Sequence, residues 1–269
     1  MLEVVKKIMP VAVKNILRKP YYFMKNVLRP MPSMHSNIEY NIKLWNRYAK
    51  NWNKTEVYVQ NRDIKEKEKE FYLQYLGDEW GKVSDVEEII SEYIYPYITK
   101  ESVVAEIGVG GGRIASKVVN MTKEFYCFDI SSEMLKKAKA VLSQYSHVKY
   151  IRLVKPKFSN KFTDKFDFVY SFDVFVHLDL HTMRNYFSEI NLILKQGGKA
   201  FIHTTNLKAP DGWKRFSSQD TYTIEGHYFI SPEIVDILAQ HSNLRIIKKS
   251  SIVSSNFYLN RDYLVILEK

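Results

Sequence analysis

The stretch VVAEIGVGGGRIA, residues 103–115, constrains this chain more than any other. A β-branched run ends in Gly108, Gly110, Gly111 and Gly112, and a helical pattern begins at Ile114. Such a turn has a physical use. Missing Cβ atoms let a ligand approach the backbone, and N–H groups at the start of the helix receive its polar atoms. The turn therefore predicts a strand–helix unit of an α/β sheet, with a ligand at the carboxyl end of the strand.

The rest of the chain after residue 101 agrees. FYCFDI (125–130), HVKYIRLV (147–154), FDFVYSF (166–172) and KAFIHTT (199–205) read as further strands. The helix after Ser131, with Ser131 as its cap, carries Met134, Leu135, Ala138 and Leu142 on one face. A helix over about 180–194 presents Met183, Phe187, Ile190 and Leu194, and Gly197 and Gly198 are expected to close it. A loop-rich insertion, 206–230, precedes a helix with Pro232 in its first turn, and LRIIKKSSIV and DYLVILE end the chain. The order predicts an α/β, Rossmann-like, doubly wound sheet, mostly parallel, with a C-terminal antiparallel hairpin.

Residues 36–100 read instead as a helical cap. Ile42, Trp45, Tyr48, Ala49 and Trp52 recur at helical spacing. A helix over 64–76 carries the run KEKEKE as a solvated face, and another over 86–95 ends before Pro96. The aromatic stripe is most simply core, although a cap of this kind can also close over a ligand as a lid.

Two details of the glycine turn separate its ligands. A nicotinamide-dinucleotide fingerprint beginning at Gly108 requires glycine at 113, and Arg113 stands there. Glu106, two residues before the first glycine, has no special use in such a site. Asp129 ends the next strand near the spacing expected for a carboxylate that accepts hydrogen bonds from ribose hydroxyls. The combination of EIGVGGGR, FDIS, SFDVFVH and LKQGG resembles the class I S-adenosylmethionine-dependent methyltransferases, over about residues 100–269. The resemblance implies S-adenosyl-L-methionine as cofactor. It places Glu106 near the amino-acid end, and Gly108, Gly110, Gly112 and Arg113 around the methionine and ribose portions. Asp129 falls at the ribose, with Ile130 and Met134 flanking adenine. Leu153 and Val154 stand where the family often has an acid or amide for the adenine amino group, which implies backbone and apolar contacts there.

The resemblance also makes the end of the fourth strand the catalytic face, with Ser171 and Phe172 at the cofactor and Asp173 and His177 in the tail that meets the acceptor. His203 stands at the tip of the fifth strand. A hydroxyl acceptor benefits from a general base, and histidine suits that task near neutral pH. His177 or His203 is expected to take the acceptor proton, with Asp173 orienting the acceptor or the histidine; the alternative is that all three are structural. Trp213, His227 and Tyr228 of the insertion are candidate acceptor contacts. Asp173, His177 and Asp179 form no recognised ligand spacing, so no metal is assigned.

Charge narrows the acceptor. The chain is +10 overall, and residues 1–30 hold seven basic groups against Glu3 alone, leaving only +4 for the remainder. That balance argues against a nucleic-acid substrate. Residues 1–35 read as a basic amphipathic arm, for an anionic membrane surface or for packing on the body or a second subunit. The single cysteine, Cys127, and the lack of an uninterrupted apolar run predict a cytoplasmic protein, at the inner face of the membrane if the arm rests there. The layout is similar to small-molecule methyltransferases, including ones acting on sugars of bacterial surface polysaccharides. It implies O-methylation of a sugar or sugar substituent in polysaccharide biosynthesis. Alternatives are a lipid headgroup, an amine or a secondary metabolite, and a non-catalytic cofactor-binding assembly protein. The oligomeric state is left open.

Overall fold

The structure, a computed structural model, describes residues 36–60, 72–220 and 227–269. The basic arm, the KEKEKE run and residues 221–226 lie outside the described residues.

Seven strands form one sheet: β1 (Val103–Ile107), β2 (Glu124–Asp129), β3 (Val148–Arg152), β4 (Phe166–Ser171), β5 (Leu194–Thr205), β6 (Arg245–Lys249) and β7 (Asp262–Glu268). Their order is β3-β2-β1-β4-β5-β7-β6. The first five are parallel, and β7 runs antiparallel to both β5 and β6. The expected hairpin is thus present, with β7 inserted between β5 and β6. The chain reverses direction from β1–β2 to β1–β4, so a crevice opens at the carboxyl ends of β1, β2 and β4, where ligands of open α/β sheets bind.

Helices α1 (Asn37–Asn51), α2 (Val57–Gln60) and α3 (Val83–Tyr93) precede the sheet; α4 (Ala115–Val118), α5 (Ser132–Val141), α6 (Leu180–Ile193), α7 (Pro210–Ser217) and α8 (Pro232–His241) follow its strands. Both sheet faces are covered. One core packs Phe128, Phe166, Phe187 and Ile190 on Ala105 and Val169; the other packs Ile89, Tyr93, Phe125 and Phe201 on Val104 and Phe168. Burial of both faces is why β4 and β7 read as nearly continuous apolar runs. No helix among the described residues is long and apolar enough to cross a membrane.

Three local expectations are corrected. Gly197 and Gly198 do not close α6, which ends at Ile193; they lie inside β5, where the β4–β5 register slips between Phe166 and Phe168. At Gly198 a Cβ would stand 2.8 Å from Lys195 O, so the irregular strand needs glycine there. The insertion is not all loop, because Pro210 opens α7. The described end of the expected helix over 64–76 is a 3-10 turn, Tyr72–Tyr75.

Candidate active site

The turn after β1 is tied to its neighbour strand. Gly108 and Val109 N–H both donate to Phe128 O, at 2.7 and 3.1 Å. Gly108 and Gly110 adopt φ of 76° and 55°, in the left-handed region that favours glycine. The two glycines differ in surroundings. A Cβ on Gly108 would lie 2.3 Å from Val174 Cγ2, whereas one on Gly110 would meet nothing within 4 Å. Gly110 therefore faces open space, the cavity itself.

Parallel pairing of β1 with β2 brings Glu106 and Asp129 to one end of the sheet. Asp129 is buried and shapes the turn: Gly110 N–H donates to Oδ2 at 2.9 Å and Ser131 N–H to Oδ1 at 2.7 Å. Burial lifts its pKa to about 6, against the opposing effect of these backbone donors. Two backbone donors leave lone pairs of the carboxylate for a ligand. Glu106 is 2% exposed, and Tyr170 Oη donates to its Oε2 at 2.8 Å. Burial pushes Glu106 well above the usual carboxylate range, despite Tyr170 and the positive charge of Arg113.

The cap forms the other wall. Ser131 Oγ accepts from Met134 N–H at 3.1 Å, capping α5, and donates to Asn46 Oδ1 of α1 at 2.9 Å. Asn37 and Asn41 of α1 reach the opposite side, donating through Nδ2 to His177 O at 3.0 and 3.4 Å. So α1 spans the crevice from the β2 tip to the β4 tail. Between lies a concave cavity at the sheet's carboxyl ends, where ligands of such folds bind. Its lining includes Glu106, Gly110 and Asp129 from the sheet tips, Trp45 and Trp80 from the cap, and His177 from the tail.

After β4 the chain bends at Asp173, whose φ is 56°. Arg113 Nη2 meets Asp173 Oδ2 at 2.6 Å, and Nη1 donates to Gly77 O at 2.6 Å. Burial opposes both charges, but each stabilises the other: Asp173 is held below the usual carboxylate range and Arg113 above the usual arginine value. His177 ends the short turn Phe175–His177, with its ring 5.2 Å from those of both Trp45 and His227.

The cavity brings together Glu106, Gly108, Gly110, Arg113, Asp129, Ile130, Met134, Phe172, Asp173 and His177 of the expected site. Gly112 packs instead towards Ala138 of α5, and Ser171 Oγ donates to Ile107 O at 2.8 Å. Leu153 is buried and Val154 is 53% exposed, and neither lines the cavity. Trp213, His227 and Tyr228 lie outside the lining too, though His227 touches His177. His203 is corrected from the cavity to the core. It sits in a strand flanked on both sides, with no exposed surface, between Asp173 and Asp262.

Residues 105–202 match the model of a methyltransferase domain family. Solved structures share the fold. Magnesium protoporphyrin IX methyltransferase from Synechocystis, solved with bound SAH (S-adenosylhomocysteine), is 12% identical with a TM-score of 0.59, over 87% of this chain and 100% of that one. An N-methyltransferase from Bradyrhizobium japonicum is 16% identical with a TM-score of 0.55, over 70% and 98%. A SAM-dependent methyltransferase from Aquifex aeolicus is 14% identical with a TM-score of 0.53, over 72% and 97%. No curated protein sequence matches the chain significantly.

The chain carries a methyltransferase domain over residues 105–202, on the fold shared by S-adenosylmethionine-dependent methyltransferases.

Its donor set suits that cofactor: a buried carboxylate with acceptor capacity left, a glycine open to the cavity, and a second buried carboxylate beside it. Asn41, Leu76, Trp80, Val174 and Leu178 also line the cavity and were not foreseen from the sequence. The aromatic stripe of α1 was the one available signal, and it reads equally well as core.

Proposed function

We propose that this methyltransferase O-methylates a sugar or sugar substituent, with His177 as the general base. The carrying observation is that His177 shares one cavity with the glycine turn and Asp129, while the other expected base, His203, is sealed in the core.

Asp129 would hold the ribose hydroxyls and Glu106 would face the amino-acid end, with Gly110 giving the cofactor room. Ile130 and Met134 would flank the adenine. When bound, the cofactor supplies an electrophilic methyl group on a sulfonium, and the rest of catalysis is alignment in a dry pocket. Trp45 and Trp80 exclude water from the cavity. His177 receives the hydroxyl proton as the oxygen attacks, which contributes roughly 10²- to 10⁴-fold in rate for a well-placed base. Asp173, already committed to Arg113, holds the tail that carries His177 rather than taking the proton itself.

A role in surface polysaccharide biosynthesis, at the inner face of a membrane, rests on the charge of residues 1–30 and on the aromatic side chains of the insertion. Liposome sedimentation with and without residues 1–30 tests the membrane part; equal behaviour sinks it. The acceptor class is tested by incubating the enzyme with methyl-labelled cofactor and a panel of nucleotide sugars and free sugars. Label in a sugar ether supports the reading, and label found only in amines or lipid headgroups overturns it.

A further inference from the structure

Around His227, whose ring lies 5.2 Å from that of His177, the described residues gather more positive charge than they neutralise. Helix α7 is clasped to the segment before β7: Asp211 N–H donates to Asn260 O at 3.1 Å, and Asn260 Nδ2 donates to Asp211 Oδ2 at 2.7 Å. Gly212 is pressed so closely that a Cβ would stand 2.0 Å from Asn206 O and 2.6 Å from Arg261 O. Residues three apart on a helix share a face, so Arg215 follows Gly212 towards this side and is partly buried there.

Arg261 is buried and spoken for. Its Nε and Nη2 lie 2.8 and 2.5 Å from Asp262 Oδ2, and its guanidinium rests 4.5 Å from the Phe257 ring centroid. Asp262 also faces His203 Nε2 at 3.0 Å, and Asp173 is paired with Arg113. Three arginines thus share two buried carboxylates. Arg215 is the one left over: it is half-buried, and no carboxylate among the described residues makes an ion pair with it. Burial and the charge of Arg261 depress its pKa, and the more distant Asp262 and Asp173, each already paired with another arginine, offset this only in part.

His227 adds a second, independent sign. It is 9% exposed, its Nδ1 is buried with no hydrogen-bond partner among the described residues, and its ring lies 5.2 Å from His177. Buried polar nitrogens are ordinarily paired, so an unpaired one near a guanidinium without an ion pair points to a missing hydrogen-bonding partner, and the guanidinium requires that partner to be an acceptor. Trp213 and Phe216 flank the same helix with exposed rings, 5.6 Å apart, and Phe229 bridges Phe216 to His227 at 5.3 and 6.1 Å.

We propose that Arg215, supported by Arg261 and His227, is an oxyanion subsite for the acceptor, so that the molecule methylated at His177 carries a carboxylate or a phosphate group. A guanidinium binds either oxyanion through two parallel hydrogen bonds, which fixes orientation as well as adding affinity. The subsite rests on the methyltransferase reading above and narrows its acceptor to an acidic one, such as a sugar acid or a phosphorylated sugar.

The test is calorimetric titration of the full chain saturated with S-adenosylhomocysteine. The probes are glucuronate for the carboxylate, glucose 1-phosphate for the phosphate, and glucose as the neutral control. At least one acid should bind about tenfold or more tightly than glucose, and Arg215→Gln should remove that preference. Arg215→Lys keeps the charge but not the fork and should fall between. Affinity for S-adenosylhomocysteine should be unchanged in both variants, which certifies their fold and reports separately on the cofactor site. Acids that bind no better than glucose, or bind Arg215→Gln as well as the unaltered enzyme, overturn the subsite. Intact S-adenosylhomocysteine binding in that case leaves the methyltransferase assignment standing.

Discussion

The backbone N–H of Asp173 donates to His203 Nδ1 at 3.0 Å, joining the bend after β4 to the middle of the sheet. Asp173 occupies the left-handed region, which costs a non-glycine residue roughly 1–2 kcal/mol. The bend persists because Arg113, His203 and Tyr258 all hold it: Tyr258 Oη donates to Asp173 Oδ2 at 3.3 Å. Because Asp173 N–H occupies Nδ1, the proton of a neutral His203 lies on Nε2, which faces Asp262. His203 is therefore a positioning residue for the tail that ends in His177.

His203→Ala should destabilise the fold by about 2–4 kcal/mol, through a cavity and an unsatisfied buried N–H. Among molecules still folded, kcat should fall more than acceptor KM changes, because His177 loses its fixed place. His203→Asn, whose amide oxygen can accept from Asp173, should recover part of both losses. Thermal melts with steady-state kinetics decide; equal effects of Ala and Asn would remove the positioning role.

Gly108 and Gly110 should respond differently to alanine. Both have positive φ, so each substitution costs about 1–2 kcal/mol of backbone strain. At Gly108 the new methyl also collides with Val174, so the fold should suffer further, and Val174→Ala should relieve some of the added loss. At Gly110 the methyl enters only the cavity. Gly110→Ala should keep most of its stability yet bind S-adenosylhomocysteine at least about tenfold more weakly, the scale of losing a well-fitted contact. Melting temperature and calorimetry separate the two.

Cofactor affinity should depend on pH if Asp129 holds the ribose hydroxyls as proposed. Its pKa in the folded protein is about 6, raised from 3.8 by burial, so the carboxylate is charged above pH 6 and neutral below it. Ribose hydroxyls donate best to the charged form, so binding favours ionisation and lowers that pKa further. The sign follows: S-adenosylhomocysteine should bind with full affinity above about pH 6 and progressively more weakly as pH falls through that value. Asp129→Asn should bind weakly with a flatter profile. A wild-type affinity that rose on acidification would contradict the assigned role.

The legible parts of this protein were the local ones. The glycine turn, Asp129 and the Ser131 cap all lie between residues 108 and 131, in one contiguous turn–helix–strand–helix stretch where spacing alone predicts neighbours. What depends on packing was not legible. Nothing in the spacing of Trp45 or Trp80 says that α1 bridges the crevice, because the contacts of Asn46 with Ser131 and of Asn37 with His177 span 85 and 140 residues. His203 looked like a strand-tip base because sequence gives the strand's end but not its neighbours. With β4 on one side and β7 on the other, β5 has no open edge. Helix α7 was hidden inside a polar stretch, since Pro210 and Gly212 read as loop residues until the clasp of Asp211 on Asn260 and the close approach of Gly212 to Arg261 O are seen.

The base assignment makes the most demanding prediction. His177→Gln keeps a polar side chain of similar reach between Trp45 and His227 but cannot accept a proton at neutral pH. Cofactor binding should survive, because the contacts assigned to the cofactor fall on Asp129 and the glycine turn. Turnover of a hydroxyl acceptor should fall about 10²- to 10⁴-fold, and the variant should lose the acidic limb of the kcat/KM profile that a titrating base imposes. An acceptor hydroxyl that is already acidic needs less help from a base, so the deficit should shrink as its pKa drops. Equal deficits across a series of acceptors would show His177 shaping the pocket instead of moving the proton, and unchanged turnover would remove it from catalysis.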